Sequence, residues 1–242
     1  MSEQINTAII LAAGMGSRLG VINENKPKGF LRIGSLPIIH ESINKLKKAE
    51  IKNIVIVTGY QSQLYDAYIE ENFQDIKIVK NLDYEHTSTL YSLSKIRTFL
   101  KDDFLLLESD LIYDFSAISE LLSNKSRNTI LLSNETGSGD EVYVETSNNN
   151  LVNMSKDLNK LKTNSSGEFV GINKISYSLF QKMMGLFDRS TNRKILTYEE
   201  DAMVQCSRFI DIECLKLDEL LWSEIDTKEH LEKAKEIYKK LS

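Results

Sequence analysis

The sequence contains little cysteine or proline and no long hydrophobic run. Its 242 residues include two cysteines and two prolines. Cys206 and Cys214 form neither a CxxC pair nor a zinc-ligand pattern, which argues against a disulfide framework and fits a reducing compartment. No run approaches the roughly eighteen apolar residues of a membrane span, and the N-terminus lacks the basic and apolar regions of a signal peptide. We therefore expect a cytoplasmic protein with no membrane contact.

The sequence also lacks an excess of positive charge. It has 30 Lys and Arg against 35 Asp and Glu, a formal net charge of −5. This balance argues against general nucleic-acid binding, so an anionic substrate would need a local basic pocket. The length predicts one domain, residues 1–242, with a core at about 5–135 and 165–242 and a β insertion at about 136–165.

Strand-like apolar runs alternate with amphipathic helical patterns in the first half of the chain. These segments are, in order, 7–13, 37–50, 53–59, 63–73, 75–81, 88–100 and 103–110. Strands that are apolar on both faces and separated by helices predict a parallel sheet covered on both sides. The second half contains shorter, partly antiparallel strands, with a hairpin around Ser147–Asn150. We predict an α/β, Rossmann-like, mostly parallel mixed sheet flanked by helices, with the β insertion as one wall of a cleft.

A glycine-rich loop follows the first predicted strand. The segment 11–31 reads LAAGMGSRLGVINENKPKGFL. Glycines in this place let backbone N–H groups approach a phosphate. A P-loop pattern is absent, and a dinucleotide fingerprint fits poorly because Gly20 comes one residue late and no acid ends the second strand. A loop around a triphosphate, with Arg18 and a downstream lysine supplying charge, fits better.

The segments LAAGMGSRLG (11–20) and KPKGFL (26–31) resemble the signature of the sugar-phosphate nucleotidyltransferase superfamily, L-A-A-G-x-G-x-R-L followed by P-K. The resemblance continues through VTGY, HTSTLYSL, ESD, VGI and EID and covers nearly the whole chain. Within that superfamily the chain looks like the small cytidylyltransferases that act on phosphocholine or 2-aminoethylphosphonate. The form ENKPKGFL is most similar to the 2-aminoethylphosphonate enzymes.

This resemblance implies a reaction between CTP and a small zwitterionic phosphonate or phosphate ester. The acceptor oxyanion attacks the α-phosphorus in line, assisted by Mg²⁺, and pyrophosphate leaves. The N–H groups of Gly14 to Ser17 and the Arg18 guanidinium suit the β- and γ-phosphates, and Lys28 suits the α-phosphate. The predicted nucleotide-binding residues are Leu11, Ala12, Ala13, Gly14, Met15, Gly16, Ser17, Arg18, Lys28, Gly59, Tyr60, Thr87, Ser88, Thr89, Glu108 and Ser109. For Thr87 to Thr89, helix capping is the alternative.

Two aspartates at strand ends are the candidate metal ligands. Asp110 ends FLLLESD and Asp226 ends LLWSEID, and the resemblance pairs them around Mg²⁺. With Arg18 and Lys28 they form the predicted catalytic set. The alternatives are a turn or N-cap role for Asp110 and the N-cap of the last helix for Asp226. Glu108 and Glu224 precede them by two residues and share their strand faces, which suits a supporting role.

The acceptor site favours a primary amine over a quaternary ammonium, because acids outnumber aromatic residues in the segments expected to form it. The predicted acceptor-binding residues are Asp140, Glu141, Lys156, Gly171, Tyr198, Glu199 and Asp201, with Glu200 as a further acid in the same segment. Solvated acids on a helix turn are the alternative for the last group. Phosphocholine and sugar 1-phosphates remain alternative acceptors, and a non-catalytic nucleotide sensor is the rival of another class. A homodimer and a fusion to another enzyme of the same pathway both remain open.

Overall fold

A nine-stranded mixed sheet forms the centre of the fold. The computed structural model describes residues 4–16, 18, 19, 26–190 and 197–241. The strands are β1 (Thr7–Ala12), β2 (Asn53–Thr58), β3 (Ile76–Lys80), β4 (Phe104–Glu108), β5 (Leu111–Tyr113), β6 (Thr129–Ser133), β7 (Tyr143–Ser147), β8 (Asn150–Ser155), β9 (Gly167–Ile175), β10 (Glu213–Lys216) and β11 (Trp222–Glu224). The helices are α1 (Ile38–Lys48), α2 (Ser62–Asn72), α3 (Thr89–Ser94), α4 (Ser116–Ser123), α5 (Tyr177–Arg189), α6 (Glu199–Cys206) and α7 (Lys228–Leu241).

The sheet has the strand order β3-β2-β1-β4-β9-β6-β10-β8-β7. Strands β1 to β4 pair in parallel, as the alternation of strands and helices predicts. Strand β9 is antiparallel to both β4 and β6, while β6 and β10 are parallel. The predicted mixed α/β architecture is confirmed, but parallel pairing predominates only in the first half of the sheet. The predicted hairpin is β7–β8, and it continues the main sheet through pairings with β9 and β10.

Helices cover both faces of the sheet, and β1 explains why. All six residues of β1 are buried, and its alternate side chains face opposite ways. Ile9 and Leu11 pack with α3, α5 and α6, whereas Ala8, Ile10 and Ala12 pack with α1, α2 and α4. A third, smaller hydrophobic cluster packs α7 against Leu19 and Leu31. Leu19 follows Arg18 of the glycine-rich segment, and Leu31 comes shortly after Lys28. This packing places Leu19 and Leu31 against the last helix.

The structure adds two elements to those that the sequence predicts, namely α4 and the short strand β5. Strand β5 pairs with β11 in a separate two-stranded antiparallel sheet. Three-residue strands offer too few positions for alternation to be recognised. Helix α3 is shorter than the predicted 88–100. Among the described residues, no helix is long and apolar enough to cross a membrane.

Candidate active site

A cavity of about 610 Å³ opens at the carboxyl ends of β1 and β4. In an open parallel sheet this edge is where ligands bind, because loops and helix N-termini meet there. The four residues predicted as catalytic all lie on the cavity wall: Arg18, Lys28, Asp110 and Asp226. Arg18 and Asp226, which are about two hundred positions apart in the sequence, therefore line the same cavity.

Charged side chains form an alternating chain along this wall. The Lys28 ammonium lies 2.7 Å from an Asp110 oxygen and also contacts Asp226. Arg18 contacts Asp226 on one side and lies 2.7 Å from Asp140 on the other. Lys156 continues the chain, with its ammonium 2.6 Å from the second Asp140 oxygen. Each cation thus has a carboxylate counter-ion that an entering phosphate must replace.

Lys28 owes its position to the residues around it. It begins a short 3-10 turn directly after the buried Pro27. Its side chain passes over Gly16, which has a φ of 60°, and a Cβ at that glycine would come within 2.7 Å of Lys28 Cγ. Burial works to lower the pKa of Lys28, but the charges of Asp110, Glu224 and Glu108 together raise it above the usual lysine value. The ammonium therefore stays charged and suits an anionic ligand.

The β5–β11 pair brings the two distant aspartates together. Leu111 pairs with Glu224 in this small sheet, and the Ile225 N–H donates to the Asp110 carbonyl at 3.0 Å. The structure also shows that neither aspartate caps a helix with its side chain. Asp110 precedes a strand, which excludes the helix N-cap role. The side chain that caps α7 is Thr227, whose Oγ1 accepts a hydrogen bond from the His230 N–H at 3.2 Å.

A group of three carboxylates overlaps the predicted metal pair. Glu108, Asp110 and Glu224 each place one oxygen within 4.8 Å of the others. Burial, followed by the charges of Glu224 and Asp110, raises the pKa of Glu108 well above its usual range. Burial and Asp110 raise the pKa of Glu224 to about 7. Of the predicted pair, Asp110 belongs to this group, whereas Asp226 faces Lys28 and Arg18. Oxygen donors with unbalanced charge fit a divalent cation.

Most of the residues predicted to bind the nucleotide line the cavity. They are Leu11, Ala12, Ala13, Gly14, Gly16, Arg18, Lys28, Thr87, Ser88, Thr89, Glu108 and Ser109. Met15, Gly59 and Tyr60 do not line it, and the Tyr60 N–H instead donates to the Ala13 carbonyl behind the loop, at 3.1 Å. Ser17 lies outside the described residues. Ser88 takes the N-cap position of α3 without a capping side-chain bond, so its hydroxyl is not committed to that role.

The predicted acceptor residues divide into two groups. Asp140, Lys156, Gly171 and Tyr198 line the cavity. Glu141, Glu199 and Asp201 do not, because they are used within the fold. Glu141 accepts from the Gly139 N–H at 3.0 Å, and Asp201 accepts from the Tyr198 N–H at 3.0 Å, which closes the first turn of α6. Glu199 is almost fully buried beneath the same turn.

Sequence reasoning gave no role to Glu168, which also lines the cavity. It is buried in β9 and accepts hydrogen bonds from the Thr136 N–H at 2.6 Å and from the Thr136 hydroxyl at 3.2 Å. A charged residue inside the apolar run GEFVGINKI is the signal that could have identified it. Gly171 in the same strand has a φ of 80°, and a Cβ there would come within 3.0 Å of the Glu108 carboxylate. This glycine therefore leaves room for Glu108.

The cavity lining holds more acidic than basic side chains. Among the residues that the structure describes, the lining contains seven acids and three cations. The acids are Glu108, Asp110, Asp140, Glu168, Glu200, Glu224 and Asp226, and the cations are Arg18, Lys28 and Lys156. After the three cations and three carboxylates of the alternating chain are accounted for, Glu108, Glu168, Glu200 and Glu224 remain, and burial raises the pKa of all four. A ligand that brings positive charge into the cavity favours the ionised form of these carboxyl groups.

Comparison with known proteins shows the family of the chain. The MobA-like NTP transferase domain matches residues 8–211, and the chain belongs to this family of nucleotidyltransferases. It is 25% identical over 232 residues to the bifunctional IPC transferase and DIPP synthase of Aquifex aeolicus, covering 96% of this chain and 51% of that protein. It is 34% identical over 99 residues to the choline-phosphate cytidylyltransferase of Streptococcus pneumoniae, covering 41% of this chain and 42% of that protein.

A solved structure gives the same fold over the full length. The inositol-1-phosphate CTP transferase of T. maritima superposes with a TM-score of 0.82 and 17% identity, covering 100% of both chains. The chain spans about half the length of the curated relatives it matches. Its nucleotidyltransferase fold and family are therefore established, while its substrates are a matter for proposal.

Proposed function

We propose that the chain transfers CMP from CTP to 2-aminoethylphosphonate, giving CMP-2-aminoethylphosphonate and pyrophosphate. The observation that carries this proposal is the convergence of Arg18, Lys28, Asp110 and Asp226 on one cavity whose other ionisable side chains are mostly acidic. The cations suit a triphosphate, and the surplus acids suit a cationic acceptor. Relatives whose names state a CTP-dependent transfer to phosphate esters support the choice of reaction.

The cations act on the nucleotide by exchanging partners. Arg18 can leave Asp226 and Asp140 for the β- and γ-phosphates, because its fork of donors matches phosphate oxygens. Lys28 lies deeper, and its charge lowers the repulsion between the α-phosphate and the incoming oxyanion. The acceptor is already ionised, so its oxygen needs no general base before it forms the new P–O bond. Orientation of two anions in one cavity is the main contribution of these residues.

The carboxylates of the cavity fit a divalent cation. Asp110 would hold it together with Asp226, the predicted pair, or with Glu108 and Glu224. Bound Mg²⁺ supplies further neutralisation of the phosphate oxygens. Asp226 becomes available when Lys28 and Arg18 turn to the nucleotide, since both contact it here. Carboxylate ligands together with phosphate oxygens are the usual Mg²⁺ environment.

The acceptor end supports a primary amine. A primary ammonium donates hydrogen bonds to carboxylates, and Glu200 and Glu224 line the cavity without cationic partners among the ion pairs of the described residues. Lys156 suits the phosphonate at the same end. The form ENKPKGFL adds the sequence resemblance to this argument.

Phosphocholine is the second candidate acceptor. Aromatic faces bind quaternary ammonium groups, and Phe169, Tyr198 and Trp222 line the same cavity. The choline-phosphate cytidylyltransferase of Streptococcus pneumoniae is also a relative. A sugar 1-phosphate brings hydroxyl groups but no positive charge to these acids, and a nucleotide sensor would not need converging carboxylates.

A panel of substrates tests the proposal. Purified protein is mixed with Mg²⁺, one of the four nucleoside triphosphates, and 2-aminoethylphosphonate, phosphocholine, inositol 1-phosphate or glucose 1-phosphate, and pyrophosphate release is followed. We expect CTP with 2-aminoethylphosphonate to give the highest kcat/KM. Equal or faster turnover of phosphocholine would overturn the primary-amine assignment. Binding of CTP without pyrophosphate release from any acceptor would indicate the sensor.

A further inference from the structure

One loop of the cavity wall is held from two sides. Residues 134–142 connect β6 to β7 and carry Asp140, the partner of both Arg18 and Lys156. From the sheet, Glu168 accepts the Thr136 N–H at 2.6 Å. From α7, the Lys233 ammonium donates to the Thr136 carbonyl at 2.5 Å. We refer to residues 134–142 as the Asp140 loop.

His230 on α7 links this loop to Asp226. Its ring is buried, with an exposed fraction of 6%. Its Nδ1 accepts a hydrogen bond from the Asp226 N–H at 3.4 Å, and its Nε2 lies 3.3 Å from the Ser138 carbonyl. Because the backbone N–H must be the donor at Nδ1, the ring proton belongs on Nε2, where it is donated to Ser138. One neutral tautomer satisfies both contacts.

The position of His230 follows from the start of α7. Thr227 caps the helix by accepting the His230 N–H, which places the imidazole in the first turn, beside Asp226. The same ring then contacts Ser138 of the Asp140 loop. Asp226 and Asp140 are the two carboxylates that hold Arg18. A shift of the His230 ring would therefore move both partners of one guanidinium.

We infer that His230 is a positioning residue that sets the Asp140 loop relative to Asp226, and so aligns the acceptor side of the cavity with the triphosphate side. This inference rests on the proposed cytidylyltransferase function. The imidazole does not touch the reacting atoms in this role. Its two hydrogen bonds serve two different ends: the bond to Asp226 affects the catalytic step, and the bond to Ser138 affects acceptor binding.

Three substitutions separate these two bonds. His230→Asn places an amide oxygen near the Nδ1 position and loses the contact with Ser138. His230→Gln places an amide N–H near the Nε2 position and loses the acceptor for Asp226. His230→Phe keeps the ring volume and loses both. His40→Gln, a histidine on α1 outside the cavity lining, is the matched control and should keep wild-type kinetics.

We expect His230→Phe to lower kcat/KM between about 10-fold and 10²-fold, the range produced by small misplacements of reacting groups. His230→Asn should keep kcat and raise the KM of the acceptor, whereas His230→Gln should keep the acceptor KM and lower kcat. Lys233→Met, which loosens only the loop, should behave as His230→Asn does. Equal effects of the Asn and Gln variants, or wild-type kinetics in His230→Phe, would overturn the inference.

Hydrogen exchange tests the same inference without turnover. Amides of residues 134–142 should exchange faster in His230→Phe and His230→Asn than in the wild type, and at the wild-type rate in His230→Gln. If the wild type releases no pyrophosphate while this exchange pattern holds, the proposed function fails and the positioning role stands. If the wild type is active and loop exchange is the same in all variants, the positioning role fails.

Discussion

Lys28 holds the two sequence-distant aspartates of the site on one ammonium group. It lies 2.7 Å from Asp110 and contacts Asp226, while Arg18 shares Asp226 with it. The Lys28 ammonium therefore contacts the same carboxylates that are proposed to bind a divalent metal. We therefore expect nucleotide and metal to bind together, because the phosphates draw Lys28 and Arg18 away from the oxygens that the metal needs.

The substitution Asp110→Asn tests the role of that carboxylate. It keeps the shape of the side chain and removes the charge shared by Lys28 and the three-carboxylate group. We expect turnover to fall roughly 10³-fold, corresponding to the loss of several kcal/mol of charge stabilisation. Pyrophosphate release measures the effect, and circular dichroism checks the fold. The exposed Asp211→Asn is the control, and comparable turnover in the two variants would contradict the assignment.

At the scale of elements, the short pieces of secondary structure do most to build the site. The β5–β11 pair has three residues in each strand, yet it joins the chain near Asp110 to the chain near Asp226. Helix α7 then packs through Leu231, Ala234 and Ile237 against residues flanking the glycine-rich segment. The start of α7 therefore follows directly after Asp226, which lines the cavity, and anchors that part of the chain to the glycine-rich segment.

The N-cap of α7 gives a prediction at this scale. Thr227→Ala removes the acceptor for the His230 N–H, and loss of an N-cap side chain costs about 1 kcal/mol. Urea unfolding should give that decrease in the free energy of unfolding. Thr227→Ser keeps the hydroxyl and should stay close to the wild type. Equal stability of the Ala and Ser variants would mean that this cap contributes nothing measurable.

At the scale of the whole molecule, the cavity holds buried carboxyl groups whose ionisation is unfavourable. Burial and the charge of Asp110 raise the pKa of Glu224 to about 7, Asp140 adds to the effect, and Lys28 and Lys156 oppose it. Burial likewise raises the pKa of Glu108 and Glu200. Ligands that bring positive charge should relieve this cost, and so should acid.

The pH dependence of stability follows with a definite sign. Between the ordinary glutamate range and about 7, the folded protein holds a proton on Glu224 that the unfolded chain has lost. Stability from this group is therefore complete at low pH and is lost as the pH rises through about 7. We therefore expect the free energy of unfolding, measured by urea titration in the presence of EDTA, to be higher near pH 5.5 than near pH 8.5.

Glu224→Gln should reduce the difference between these two pH values, because the amide cannot ionise. The exposed Glu219→Gln, measured in parallel, should leave the wild-type difference intact. Adding Mg²⁺ at the higher pH should stabilise the wild type more than Glu224→Gln. An unchanged pH dependence in Glu224→Gln would show that this carboxylate is ionised in the folded protein throughout the range.

The mixed α/β fold and the glycine-rich motif can both be predicted from the sequence alone. The mixed α/β fold follows from apolar runs such as β1, which is buried on both faces, and from the helical repeats between them. The motif around Gly16, Arg18 and Lys28 is local, so its spacing is visible without a fold. These features depend on neighbours within a few residues, and local chemistry constrains them strongly.

The remaining features were decided by tertiary structure. The sequence could not show that Glu224 joins Glu108 and Asp110, or that Glu168 faces the cavity. Each of these depends on which segments meet, and the meeting of β5 with β11 is set by packing across more than a hundred residues. A carboxylate can cap a helix, pair with a cation or be available to bind a ligand, depending on the groups within a few ångströms of it. Only the folded chain determines which groups those are.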